Sequence, residues 1–592
     1  MPTRKPSRLN APYNLRRLLR NDQLLLGILA IVTGVISGGM VVGFRQGILL
    51  FHGAFFNAPT ERLFQYIEHL PAWQIVLVPT LGGLVVGVLI KYTLPEARPQ
   101  GVADVVEAFA LKDGQMSAKT GLVVAFINML SIGVGASVGR EGPAVHLGAA
   151  LSAAVANRFH LATPLARTIL ACGVGAAVAA SFNAPIAGAL FAGEVVIGHY
   201  ALKAFGPVVL AAVSGTMVSR AYYGDFPAFV VPPHDVISYF FFPNFIVLGM
   251  LAGVCATIAL RGIFKTQEFA ENLPIPTWSH PALGGFAIGL MALVLPQVLG
   301  VGYGSTELAL HGGMALGLML AVLVGKLLAT VVSLGFGFGG GIFSPSLMIG
   351  AMLGGAYGVG VATLFPGLEM GAGGYALIGM GAVAAATLGA PISTTLVIFE
   401  MTGDYQLTLG VMMAVVTSTV VAKQFLGQDF FTLQLERRGL DLKGGYATQI
   451  LQALKISDVL EATTPTIPPH MPLCEVRCNL QKSLDGKLFV VGSEDGKIAG
   501  TIRLVELQDM AFTDAHDGTK VAADVMCRRP PLLCRGDDLQ CALKKMNDSG
   551  ENLIAVVEDM EQQKFLGTVE HMHVLSAYNR ALLSRRNEEL DQ

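Results

Sequence analysis

The stretch "VGREGPAVHLGAALSAAV", residues 138–155, decides how this chain is read. It sets Arg140 and Glu141 at the mouth of an otherwise apolar run of small residues, with Pro143 where a helix takes its first turn. One reading makes Glu141 a helix cap or a surface partner of Arg140. The other makes it functional, because an ionisable residue inside a membrane is costly and marks a pathway. Composition establishes the membrane: 53% hydrophobic residues, 14% charged and a mean hydropathy of +0.57 exclude an ordinary soluble globular chain. The formal net charge of -2 points to no particular partner, and no nucleic acid is expected.

Outward from this stretch, Leu24 to Phe44 carries no charge and is long enough to cross a hydrocarbon core of roughly 30 Å as a helix. Before it stand Arg4, Lys5, Arg8, Arg16, Arg17 and Arg20 with no acid until Asp22, so the positive-inside rule puts the N-terminal segment, residues 1–23, in the cytoplasm. The apolar run is too long for a cleavable signal peptide. Apolar runs recur to about Leu426, but "GGGIFSPSLMIGAMLG" (339–354), with Pro345, interrupts any straight helix. "GREGP" (139–143) is the corresponding interruption in the first half. Broken helices at membrane depth are tolerated where they line a cavity, and paired interruptions in two halves point to an inverted-repeat transporter with its site near midplane. Two helix N-termini aimed at one point make an anion site from backbone N–H groups and dipoles alone. Glu141, itself an anion, fills that site when ionised and leaves it when protonated, which is how a gate works.

Four motifs in order carry a resemblance: "GREGP" at 139, "FNAPIAGALFAGEV" at 182, "GGGIFSPSLMIGAMLG" at 339 and "APISTTLVIFEMTGDYQL" at 390. Together they resemble the CLC family of chloride channels and proton-coupled chloride antiporters, over residues 24–435. The resemblance implies an all-α polytopic membrane domain of two inverted repeats with broken helices. It also implies a homodimer in which each subunit has its own pathway for chloride or a similar small anion. It makes Glu141 the gating residue and places Gln100, Gly101, Arg140, Gly142, Ile342, Phe343 and Phe431 around the anion, with N–H groups of Ile342 and Phe343 as donors.

Three departures from the family pattern matter. The first anion-binding motif falls on "PQGVA" (99–103), so Gln100 stands where a serine hydroxyl is usual; a glutamine amide still donates but is larger. Phe431, in "QDFFTLQL", stands where a tyrosine is usual and lacks its O–H. Val195 occupies the position of the inner proton-accepting glutamate, with Glu194 one residue before it. Valine cannot relay a proton. Channel-like uncoupled conduction is therefore favoured slightly over proton-coupled antiport, with Glu194 and Val195 marking a candidate proton path on which Glu194 or a water chain would have to stand in for the missing glutamate.

Other polar residues read as structural. Glu400 and Asp404 suit capping or pairing near a helix end. His146 suits packing or water contact better than a proton relay, though histidine titrates in a useful range. Lys326, within "MALGLMLAVLVGKLLATVVSLG" (314–335), is expected to snorkel to an interface.

After Leu435 the composition turns charged and turn-rich, and residues 436–592 read as a linker and a cytoplasmic α/β module. A weak internal repeat, about 456–510 and 522–580, resembles a tandem pair of CBS domains. An assembly role is favoured over adenine-nucleotide binding, because Glu506 and His573 fall where an acid would bind ribose, with Arg503 and Glu570 where a hydroxyl residue is common. Five of the seven cysteines lie here without a close Cys-x-x-Cys pair, and read as free thiols. No cofactor is implied. Catalysis is not expected, since the membrane half has neither a Gly-x-Ser-x-Gly elbow nor a His-Glu-x-x-His motif. A divalent-cation transporter would need oxygen cages where this chain offers N–H donors. A bacterial inner or plasma membrane is the expected home.

Overall fold

The computed structural model describes residues 22–198, 202–225, 242–365, 370–440, 451, 454–461, 464–483, 486–493, 495–507 and 520–590. The basic segment Arg4 to Arg20 lies outside the described residues, as does the side chain of Glu506. The described residues up to Leu440 form one compact unit and those beyond it a second.

The first unit is all helical. Its first half comprises α1 (Asp22–Phe56), α2 (Ala72–Thr93), α3 (Val102–Leu111), α4 (Ala118–Gly133), α5 (Glu141–Arg158), α6 (Thr163–Phe182), α7 (Pro185–Phe191), which runs into a π-helical turn over Ala192–Ile197, and α8 (Leu202–Tyr223). The second half comprises α9 (Phe242–Glu271), α10 (His280–Val294), α11 (Tyr303–Leu310), α12 (Leu316–Gly335), α13 (Phe343–Leu364), α14 (Gly371–Leu388), α15 (Pro391–Thr402), α16 (Tyr405–Leu426) and α17 (Phe430–Arg437). Among the described residues nine helices are long and apolar enough to cross a membrane.

The halves repeat each other through their breaks. α6 ends on Asn183 and α14 on Gly389, both left-handed (φ 61° and 69°), and in each half an Ala-Pro pair then opens the next helix. Nine residues after Pro185, Glu194 accepts hydrogen bonds from the N–H groups of Ile392 (3.0 Å) and Ser393 (2.8 Å) at the start of α15. Nine residues after Pro391, Glu400 accepts from Ile186 (3.0 Å) and Ala187 (2.7 Å) at the start of α7. Each carboxylate caps the other half's helix, satisfying N–H groups that the helix start leaves without an intrahelical partner. A contact made in both directions is the mark of a two-fold relation, so the expected inverted halves are present.

Small residues let the helices close up. Gly350 and Gly354 of α13 lie against the backbone of α14, where a Cβ on Gly354 would sit 2.0 Å from the Tyr375 carbonyl oxygen. In lipid, where apolar burial drives little association, such close backbone packing supplies the cohesion.

Lys326 corrects an expectation. It does not snorkel: its side chain is fully buried, and Nζ donates to the carbonyls of Val298 (3.1 Å) and Gly300 (2.6 Å). The segment between α10 and α11 is only briefly helical, and the ammonium pairs carbonyls that the helix pattern leaves open there.

The second unit is α/β. One sheet holds β1 (Thr466–Ile467), β2 (Lys487–Val491) and β3 (Ile498–Arg503), with α18 (Leu473–Lys482) between β1 and β2. The other holds β4 (Leu532–Cys534), β5 (Leu553–Val557) and β6 (Phe565–Glu570), with α19 (Leu539–Ser549) after β4 and α20 (His571–Leu590) at the end. In both sheets the first strand runs parallel to the second, the second antiparallel to the third, and the register slips at Val490/Val491 and at Val556/Val557. Lead segments are exchanged: Ile456 is buried with Leu533 and Leu539 of the second repeat, and Ala522 with Leu473 and Ile502 of the first. Neither repeat closes its core alone, an arrangement consistent with a CBS pair.

Candidate functional site

The site begins where the halves touch. Gly139 donates to the Gly341 carbonyl (2.6 Å) and Gly341 donates back to Gly139 (2.8 Å), immediately before α5 and α13 begin. Ser137 ties the same loop to α12, its N–H donating to Ser333 Oγ (2.9 Å). The approach needs missing side chains: a Cβ on Gly340 would lie 2.3 Å from the Val138 side chain, and one on Gly341 would lie 3.0 Å from the Gly142 nitrogen. Neither α5 nor α13 has a side-chain N-cap, so their first N–H groups and positive dipole ends are left to act on whatever enters.

What they face is a cavity of about 640 Å³. Gln100, Gly101, Glu141, Gly142, Ile342, Phe343 and Phe431 all line it, so residues far apart in sequence converge as expected. Phe431 packs edge-on against Phe430 and presents ring where a hydroxyl was the alternative. Gly101 spends its own N–H on Asp104 Oδ2 (2.8 Å). The other oxygen of Asp104 is held by Arg98 (2.7 Å) and Arg438 (3.0 Å), so the acid at this helix start is neutralised beside the cavity.

Glu141 is 3% exposed and both of its oxygens are engaged. The hydroxyl of Tyr303, on α11, donates to Oε1 at 2.7 Å, and Ser344 Oγ donates to Oε2. Arg140 Nε lies 3.7 Å from Oε1. Sequence reasoning missed both hydroxyls. Ser344 stood inside a quoted motif, but nothing local said which group it would meet, and Tyr303 lies 162 residues from its partner.

Arg140 differs from its expected place around the anion. It does not line the cavity; its guanidinium donates to Glu61 and lies 4.5 Å over the Tyr303 ring. Glu61 also accepts from Arg45 at 2.6 Å. Burial pushes the Glu61 carboxyl up, but the Arg140 and Arg45 guanidiniums outweigh it and hold the group below the usual carboxylate range. The buried arginine thus finds a carboxylate that does not line the cavity.

Glu194 and Val195 do not line the cavity either. Both oxygens of Glu194 cap α15, and Val195 packs beside the core. Asp404 caps α16 through the Leu407 N–H (2.8 Å), which with the Glu400 cap accords with the structural reading of both acids. His146 is packed, 1% exposed, and neither ring nitrogen finds a hydrogen-bond partner among the described residues.

In the α/β unit, Glu570 and His573 come together (3.8 Å), while Arg503 lies 3.6 Å from Glu551. Among the described residues no group of three or more His, Cys, Asp and Glu side chains is placed to hold a metal ion.

Residues 82–423 match the family described as voltage gated chloride channel. A voltage-gated ClC-type chloride channel, ClcB, of Escherichia coli is 34% identical over 404 residues, covering 67% of this chain and 95% of that protein. Among solved structures, a slow cyanobacterial Cl-/H+ antiporter superposes with a TM-score of 0.64 at 26% identity, covering 70% of this chain and 97% of its own. A eukaryotic CLC transporter superposes with a TM-score of 0.60 at 18% identity, covering 94% of this chain and 98% of its own, a likeness of fold.

Proposed function

This chain belongs to the voltage-gated chloride channel (CLC) family, and on that premise we propose that its helical unit conducts chloride or a similar small anion through a pathway gated by Glu141. The observation that carries the reading is the position of that carboxylate, on the cavity wall at the joined starts of α5 and α13. An ionised Glu141 competes with a permeating anion for the same N–H groups and dipoles; a protonated one gives them up. Ile342, Phe343 and Gly142 offer backbone to the anion, Gln100 an amide, and Phe431 an apolar wall. Arg140 acts from behind, on Glu141 and Tyr303.

Uncoupled, channel-like conduction is the favoured mode. Val195 carries no proton, and Glu194 is committed to the α15 cap. Proton-coupled antiport is the second reading, favoured by the likeness to the cyanobacterial antiporter. The protein works as a homodimer with one pathway per subunit, in a bacterial inner membrane with both termini cytoplasmic, and the α/β unit serves assembly in preference to nucleotide sensing.

Simultaneous chloride and proton flux from liposomes, under a chloride gradient with the potential clamped by valinomycin and potassium, tests the mode. Chloride flux without uphill proton movement supports a channel. Uphill proton movement driven by chloride establishes an antiporter. Absence of chloride, nitrate and bromide flux from monodisperse protein sinks the anion pathway.

A further inference from the structure

We propose that Tyr303 and Ser344 are positioning residues that latch the ionised Glu141 carboxylate and set the pH at which it releases the pathway. This rests on the reading of Glu141 as the gate. The two hydroxyls come from different elements, α11 and α13, and each serves one oxygen: Tyr303 donates to Oε1 at 2.7 Å and Ser344 Oγ donates to Oε2. All three side chains are buried, at 3% exposure for Glu141, 7% for Tyr303 and 1% for Ser344. Hydrogen bonds to a charged acceptor in such a site are stronger than in water, and they favour the charged form. The latch therefore holds the gate shut by stabilising the anion it closes with.

The surroundings sharpen this. Arg140 lies over the Tyr303 ring at 4.5 Å and is itself paired with Glu61, so the ring that carries the hydroxyl packs against an anchored guanidinium. The charged and titratable groups facing Glu141 are Arg140, from its own helix start, and Tyr303; α13 brings only the non-titrating Ser344. Among the described side chains, the remaining titratable groups on α5 and on the elements packed against it and against Glu141 are His146 and Arg158 on α5 itself, Arg45 and His52 on α1, Asp104 and Glu107 on α3, Lys119 on α4, Arg167 and Cys172 on α6, Glu307 on α11, which pairs with Arg62, and Tyr357 on α13. None is hydrogen-bonded or ion-paired to Glu141 among the described residues. Arg45 reaches it only through Glu61 and Arg140.

The consequence is a sign and a size. Removing a donor to the ionised form makes protonation easier, so Tyr303→Phe and Ser344→Ala each move the transport–pH curve to higher pH, by about one unit. Ser344→Thr keeps a hydroxyl and leaves the curve near wild type.

The test is chloride efflux from liposomes between pH 4.5 and 8, for Tyr303→Phe, Ser344→Ala, Ser344→Thr and Glu141→Gln, each checked as monodisperse by size exclusion. Expected are alkaline shifts in the first two, none in the third, and no pH response in Glu141→Gln alone or combined with Tyr303→Phe. Curves for Tyr303→Phe and Ser344→Ala that superimpose on wild type, while Glu141→Gln is flat, overturn the latch and leave the gate standing. A Glu141→Gln curve that keeps the wild-type pH response overturns the gate reading, and the latch with it.

Discussion

Gly139 and Gly341 exchange both of their backbone hydrogen bonds, at 2.6 and 2.8 Å, and so join the two halves of the helical unit at one point. Each half sends a helix start from that joint into the same cavity, one opening with Glu141 and the other with Phe343. The joint is made of backbone. Its geometry therefore depends on what the neighbouring residues lack.

Gly340→Ala tests that dependence. Its Cβ would meet the Val138 side chain at 2.3 Å, and overpacking of this kind costs about 1–3 kcal/mol. We expect a lower unfolding temperature and at least tenfold weaker chloride efflux. Gly39→Ala, where a Cβ meets nothing within 4 Å, serves as the control and should match wild type. Equal behaviour of the two variants would show that the close approach is not required.

The reciprocal caps predict equal and structural effects. Glu194→Ala and Glu400→Ala each uncover two helix-start N–H groups and should each cost about 0.5–2 kcal/mol in thermal or denaturant unfolding. Neither should move the pH midpoint of chloride efflux. A Glu194→Gln variant that kept stability and chloride flux but lost measurable proton movement would instead make Glu194 a relay.

Glu61 should make stability depend on pH in a defined direction. Its folded carboxyl is held below the usual value of 4.5 by Arg140 and Arg45, against burial. The stabilisation is therefore fully present above that value and is lost as pH falls through the lower folded one. Glu61→Gln removes the closer of the two carboxylates paired with the buried Arg140 and leaves it the Glu141 oxygen at 3.7 Å, so the loss stays below the roughly 3–5 kcal/mol of a fully uncompensated buried charge. The gap in unfolding temperature between wild type and Glu61→Gln should be wide at pH 7 and narrow on acidification; a gap independent of pH would remove Glu61 from this role.

Much of this was legible in the sequence, and the reason is chemical. The breaks at Gly139 and Gly341 were legible because each sits in a motif where glycines lead to a proline suited to a helix's first turn, Pro143 in one half and Pro345 in the other. Of the residues that the resemblance set around the anion, Gln100, Gly101, Gly142, Ile342, Phe343 and Phe431 line the cavity and Arg140 does not. What stayed hidden were partners distant in sequence. Tyr303 and Ser344 on Glu141, Glu61 on Arg140, and the Glu194–Glu400 exchange of caps all depend on three-dimensional closure that no local pattern encodes. Lys326 was misread for the same reason: a lysine in an apolar helix is expected at an interface unless open carbonyls wait for it inside, and here Val298 and Gly300 supply them.

Gln100 lines the cavity where a shorter donor would reach less far. Gln100→Ser should change the ratio of chloride to nitrate flux, read from reversal potentials or paired efflux, by about threefold or more, since a difference of one hydrogen bond is worth about 1 kcal/mol. An unchanged ratio would take Gln100 out of the anion's path.

The most direct test of the central claim is chloride efflux from liposomes across pH 4.5–8, wild type beside Glu141→Gln. If Glu141 is the gate, wild-type efflux rises on acidification and the variant runs fast and flat at every pH. A variant that keeps the wild-type rise would contradict the account, and the proton-sensitive group would have to be sought elsewhere in the chain.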